Sequence, residues 1–335
     1  MARIMRYSIL LLAAVLLTAS CGRKAPGDAD APLKRVATIA LPGVAGRIDH
    51  MAVDLARQRL FVAALGNNTV EVVDLKAGAR LQSLHGFHEP QGVGYDAATD
   101  RVIVANGDSG DCDFLDGATL KSLGKLHLGD DADDIRMDIK AREAVVGYGE
   151  GALALVDMRT QTLEGTVSFR GHPEAFAFPA AGHDVYVNVP SEHSITVVDR
   201  ATRLVKATWP VREARANFPM ALDEADHRLF IGCRAPSRLL VYDTLTGKVV
   251  TTLPIPADTD DLYYDAAHKR IYASCGGGSV SVIETDGPGR YKTTATVPTA
   301  PGARTSLFVP ELSRLYVAVP RREAQNAEIM VFAVR

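Results

Sequence analysis

Residues 59–74 read Arg59-Leu-Phe-Val-Ala-Ala-Leu-Gly-Asn-Asn-Thr-Val-Glu-Val-Val-Asp74. An apolar run, a polar break of a few residues and a second apolar run ending in Asp make a β-hairpin pattern. Residues 184–199 repeat it as Asp184-Val-Tyr-Val-Asn-Val-Pro-Ser-Glu-His-Ser-Ile-Thr-Val-Val-Asp199. Between and beyond these two stretches the terminal Asp recurs at Asp74, Asp116, Asp157, Asp199 and Asp243, with Glu284 in the sixth place, at steps of 42, 41, 42, 44 and 41 residues. A second column, ending the strand before each hairpin, falls at Asp54, Asp96, Asp138, Pro179, Asp223, Asp265 and Pro310. Two columns that keep one period of about 40–45 residues indicate a repeat of four-stranded propeller blades.

Each unit supplies the four strands. In the first, they fall at 49–54, 59–64, 69–75 and 80–85. The second strands (60–64, 102–105, 144–146, 185–189, 229–231, 271–273 and 315–319) are nearly continuous apolar runs, as burial on both faces requires. Helical periodicity is absent after the N-terminal segment. Asp116-Gly-Ala-Thr119, Asp157-Met-Arg-Thr160 and Asp199-Arg-Ala-Thr202 are turn sequences, in which Asp accepts hydrogen bonds from the backbone that follows it. Seven innermost strands predict an all-β, seven-bladed propeller over residues 34–335. The seventh unit lacks an outer strand, and residues 35–41 form a strand with no blade of their own. The N-terminal strand is therefore expected to close the ring, which removes exposed sheet edges and favours a monomer.

The two quoted stretches resemble the YVTN repeat of YncE-like propellers, which are exported bacterial proteins. The resemblance covers about residues 35–335 and is specific for fold. It implies a binding or interaction module rather than a defined chemistry. The runner-up is a calcium-dependent lactonase-, hydrolase- or lyase-type propeller, although those usually have six blades and hold calcium through a Glu, Asn and Asp set that is not evident here.

The chain has 335 residues, 47% hydrophobic and 23% charged, with a formal net charge of −3, so it can bury a core and lacks the basic footprint of a nucleic-acid binder. Arg3 and Arg6 precede an apolar run at 9–17, too short to span a bilayer, followed by Thr18-Ala19-Ser20-Cys21. Small residues before a cysteine resemble the bacterial lipobox. That implies a signal peptide at 1–20, palmitate and related acylation at Cys21, a tether over 21–33 and a periplasmic lipoprotein. Gly22 in place of Asp favours the outer membrane. Cleavage near Ser20 as an ordinary signal peptide is the alternative. Cys112, Cys233 and Cys275 are an odd set with no metal spacing. Cys233 and Cys275 occupy equivalent places in adjacent blades and are expected to be free, buried thiols.

Loops entering the innermost strands of a propeller gather around its channel. Five places before the second landmark stand Asp49, Gln91, Asp133, Glu174, Phe218, Asp260 and Thr305. One place further on, His50, Asp134 and Asp261 join them, and one or two places earlier come Arg47, Glu89, Asp131, His172, Asn217, Asp258 and Arg304. Asp49, His50, Gln91, Asp133, Asp134, His172, Glu174, Asn217, Asp260, Asp261 and Arg304 are thus the candidate ligand-binding residues. They make an acidic channel mouth for a cation, a cationic ligand or a hydroxyl-rich molecule, small or presented by a protein. Clustered carboxylates must be protonated, paired with Arg47, Arg215 or Arg304, or bridged by a metal, for which hard oxygens favour calcium. A water-lined channel with no ligand is the competing reading. The Asp-rich stretches 130–134 and 258–261 lack the glycine and terminal Glu of an EF-hand, so no cofactor is expected. Gly107-Asp108-Ser109-Gly110 reads as a hairpin away from the mouth, and no catalytic residue is assigned.

Overall fold

The computed structural model describes residues 31–287 and 289–335. The expected signal peptide, Cys21 and nearly all of the expected tether lie outside the described residues. Seven four-stranded antiparallel sheets are arranged as blades, each in simple order from inner to outer strand. The inner strands are Met51–Asp54, Pro90–Asp96, Ile135–Asp138, Phe176–Ala177, Arg215–Asp223, Thr259–Asp265 and Ser306–Val309. Blade seven continues through Arg314–Val319 and Glu328–Val334 and takes its outer strand from the N-terminus, Leu33–Ala40. That strand runs antiparallel to the last one, from Leu33 opposite Val334 to Ala40 opposite Glu328. The expected closure is observed.

The core is distributed between blades. Seven buried apolar clusters correspond to the seven interfaces, such as Phe61, Val70, Val102 and Val104 between blades one and two. Second and third strands supply most of each cluster because both of their faces meet a neighbouring sheet, which is why they read as continuous apolar runs. Trp209 packs between Tyr186 and Tyr242 at the rim of blades four and five. Cys112, Cys233 and Cys275 are free and buried. Among the described residues the helical structure amounts to three single 3-10 turns, and no helix is long and apolar enough to cross a membrane.

Both landmark columns are turn devices. Asp74 Oδ1 accepts from the N–H groups of Lys76 and Ala77, Asp116 from Thr119, and Asp243 from Leu245 and Thr246. The inner-strand column does the same, with Asp96 capping Ala98 and Thr99, Asp138 capping Lys140 and Ala141, and Asp265 capping Ala267 and His268. Because strands alternate in direction, all of these turns lie on one face of the ring. The connections into the inner strands lie on the other, together with the hairpins joining second to third strands. Backbone bonds tie those two loop sets together: Gly66 N–H to Arg47, Gly107 to Glu89, Gly149 to Asp130 and Gly276 to Asp258. The Gly107–Gly110 hairpin is therefore on the mouth face, against Gln91, and not away from it as the sequence suggested.

Candidate functional site

Each outer strand leads into the channel through a left-handed residue at an equivalent place: Gly46, Glu89, Asp131, Gly171, Ala216, Asp258 and Gly302, with φ between 51° and 87°. A non-glycine residue there costs about 1–2 kcal/mol, and four blades accept that cost to turn the chain inward. A β-bulge follows. In blade one, Asp49 N–H donates to the Ala63 carbonyl while Ala63 N–H donates to the carbonyl of His50, so two residues oppose one. Asp133 and Asp134 oppose Gly147 in the same way, and Glu174 and Ala175 oppose Asn188. In blades two, five and six the register shifts at the equivalent place. A bulge brings successive side chains toward the same side instead of alternating. That is why the pairs Asp49-His50, Asp133-Asp134 and Asp260-Asp261 crowd the channel in two successive layers.

The upper layer surrounds a cavity of about 240 Å³ lined by six carboxyl side chains, three arginines and two histidines, with Gln91 and Phe218. The arginines are already engaged. Arg47 reaches Asp49 at 3.1 Å. Arg304 holds Asp258 at 3.0 Å and Asp260 at 2.7 Å. Arg234, stacked 3.8 Å over Phe218, holds the other oxygen of Asp260. His172 lies between Asp131 and Asp133, at 3.4 and 3.7 Å, with Nδ1 2.7 Å from the Gly149 carbonyl. Burial alone would lower the His172 pKa, but Asp133, the Gly149 carbonyl and Asp131 raise it to about 9. Burial pushes Asp260 up to about 6 against the pull of both arginines. Glu174 has no ion-pair partner among the described residues, and burial together with the Asp133 charge pushes its carboxyl up to about 8.

Below the mouth lies a charged partition. His50 sits 3.8 Å from Asp134 and 3.9 Å from Asp261. Burial would lower its pKa, but Asp134, Asp49 and Asp261 raise it to about 9. Arg136 Nη1 donates to Asp134 Oδ1 at 2.7 Å, while Asp134 Oδ2 is buried with no partner. Asp261, pushed up to about 7 by burial, accepts the Ser306 N–H at 2.6 Å. Past this layer the channel widens into a mainly apolar chamber of about 440 Å³ that opens toward the opposite face.

Of the expected residues, Asp49, His50, Gln91, Asp133, Asp134, His172, Glu174, Asp260 and Arg304 line the mouth together. Asp261 belongs to the partition beneath. Asn217 does not line the mouth: it is fully buried, donating to Asn188 Oδ1 and to the Ser194 carbonyl, and it ties blade five to blade four. Arg215 is exposed outside the cavity, and Arg234 supplies the cation instead. Arg234 went unnoticed because it ends a second strand rather than entering an inner one. Among the described residues no group of three or more His, Cys, Asp or Glu side chains is arranged to hold a metal ion.

No family model matches the chain. Uncharacterized protein YncE of Salmonella typhi is 25% identical over 265 residues, which is 74% of this chain and 73% of the relative. Its counterpart in Salmonella typhimurium is 24% identical over the same shares. Among solved structures, a chain of a mitotic checkpoint complex superposes with a TM-score of 0.76 at 15% identity, covering 98% of this chain and 99% of that one. A chain of Kuenenia stuttgartiensis hydrazine synthase gives 0.73 at 14%, covering 88% and 99%. At such identities the two structures show the fold alone. The weak homology and the seven-bladed ring together support a YncE-like propeller.

Proposed function

We propose that the protein is a non-catalytic binding propeller whose polar mouth takes a cationic group, an amine or guanidinium carried by a small molecule or by a partner protein. The observation that carries this reading is that six carboxyl side chains line the mouth against three arginines and two histidines, so one carboxyl is left over when the internal ion pairs are made. Glu174 lines the cavity with no direct ion pair among the described residues, although the charges of His172 and Arg234 reach it. An incoming cation supplies the missing direct partner, and in a protein-walled channel its attraction to carboxylates is screened less than in open water. Arrival of that charge also favours the ionised form of Glu174, so binding near neutral pH releases a proton.

Calorimetry with arginine methyl ester as the probe tests this. The enthalpy should change with the ionisation enthalpy of the buffer, and the double variant Asp133→Asn/Glu174→Gln should bind about tenfold more weakly with the fold intact. A buffer-independent enthalpy, or a double variant that binds as the parent does, would sink the reading. We further propose that the propeller is exported and held at the periplasmic face of a membrane, the outer membrane favoured, by a lipid on Cys21. Cys21→Ala should move the folded protein from the membrane fraction to the soluble one, and a variant that stays with the membrane contradicts the anchor.

A further inference from the structure

The repeat itself makes one residue of the channel conspicuous. Two places before the inner-strand landmark stand Ala52, Gly94, Arg136, Ala177, Ala221, Tyr263 and Phe308. Six blades fill this position with small or aromatic side chains, and blade three alone places a permanent cation there. A charge set into an apolar column breaks the local rule of the repeat, and such breaks tend to mark functional positions.

The structure locates that charge. Arg136 lines the apolar chamber and not the polar mouth. Its side chain is 32% exposed, and the surface it exposes is the chamber's closed end. Only Nη1 is engaged, by Asp134 Oδ1 at 2.7 Å and the Ile135 carbonyl at 3.3 Å. Nε and Nη2 have no hydrogen-bond partner among the described residues. The walls around it are Met137, Met220, Leu222, Phe178, Tyr95 and Tyr264. At about 440 Å³, the chamber has the size and the composition of a small-molecule site: largely apolar walls with a few polar groups, Arg136, His50 and three tyrosines, to orient the guest.

We infer that the chamber is a binding site for a carboxylate with an apolar, aromatic body, its head on the free edge of Arg136 and its body against the methionine and aromatic walls. A guanidinium fork matches a planar carboxylate with two parallel hydrogen bonds, which are strong where water is scarce. Thioether and aromatic walls suit a flat ring. Arg136 and the charged His50 beside it also exclude amines, so the chamber selects the opposite charge from the mouth. The inference does not depend on the reading of the mouth.

Calorimetric titration of the full-length protein with 4-phenylbutyrate, 4-phenylbutan-1-ol and 4-phenylbutylamine tests it. The acid should bind at least about tenfold more tightly than the alcohol, and the amine should bind weakest. Arg136→Met should bring acid and alcohol to within about twofold of each other. Ala177→Trp, which fills the chamber and leaves Arg136 in place, should abolish binding of both. The ranking in the parent needs no variant, so it stands even where a substitution unfolds the protein. Equal binding of acid and alcohol by the parent, no binding of any of the three at about 10 mM, or a preference that survives Arg136→Met would overturn the site.

Discussion

The two halves of the central channel are made by successive residues of the same seven strands, yet they have opposite chemistry. In the mouth, Asp49, Asp133, Glu174 and Asp260 face one another around about 240 Å³; a few residues further along the same strands, Met137, Met220, Leu222 and Phe178 enclose about 440 Å³. The change happens at the bulge. Above it, the chain arrives through a left-handed bend and presents two polar side chains in succession. Below it, regular pairing resumes and the strand presents the apolar alternation of a buried sheet. Gly92 shows how tightly that crossing is built, because a Cβ at this position would lie 2.1 Å from the Asp133 carbonyl oxygen. The comparison teaches that one irregular residue in each of six blades is enough to give a single channel two environments, separated by the layer of His50, Asp134, Asp261 and Arg136.

The largest effect should come from breaking that layer. Asp134→Leu leaves the partly buried His50 and Arg136 with too little opposing charge, and should cost about 3 kcal/mol in denaturant unfolding, the low end for a broken buried pair. Replacing His50, Asp134 and Arg136 together by apolar residues should restore most of the loss, because the penalty comes from the unpaired charge and not from the missing pair. A single variant within about 0.5 kcal/mol of the parent would mean that the partition is not an electrostatic unit.

A smaller effect is expected in the chamber wall. Leu262 packs between blades five and six and borders the chamber. Leu262→Ala should cost about 2 kcal/mol, near the lower end for a buried leucine, since the new space joins an existing cavity. A loss above about 4 kcal/mol would show that the chamber is better packed than this account holds.

The smallest change belongs to the mouth. Glu174 is raised to about 8, and His50 and His172 to about 9. For all three the folded state holds its proton more tightly than the unfolded one, so the sign is shared. Their stabilisation is complete at low pH and is lost as pH rises, from about 4.5 to about 8 for Glu174 and on toward about 9 for the histidines. Glu174→Gln should change stability by less than about 0.5 kcal/mol at pH 5 and flatten the decline between pH 5 and pH 8. A parent protein that gains stability over that interval would reverse the assigned signs.

The blade count and the four strands per blade were legible because they repeat, with Asp making the same kind of turn in five blades of each landmark column, and the closing N-terminal strand was legible because the seventh unit lacks an outer strand. The polar column of the mouth was legible for a related reason, since no turn chemistry explains Asp133 or Glu174. Asn217 was misread because the register shift between Asn217 and Met220 turns it into the interface with blade four, and spacing alone does not reveal a bulge. Arg234 was invisible as a site residue because it reaches the mouth from the end of the second strand, Arg228–Ala235. The chamber was missed altogether. Its wall residues are apolar, and in sequence they cannot be told from the inter-blade core. Only Arg136, a charge in a column of alanine, glycine and aromatics, could have signalled it.

The most direct test of a divided channel is to ask whether its two halves fill independently. Arginine methyl ester would be titrated into the full-length protein alone and into protein saturated with 4-phenylbutyrate, and then the order would be reversed. Two sites separated by the His50–Asp134–Asp261–Arg136 layer predict that both guests bind at once, each with an affinity within about twofold of its value alone. Displacement of one guest by the other would contradict the account, because it would mean a single continuous site.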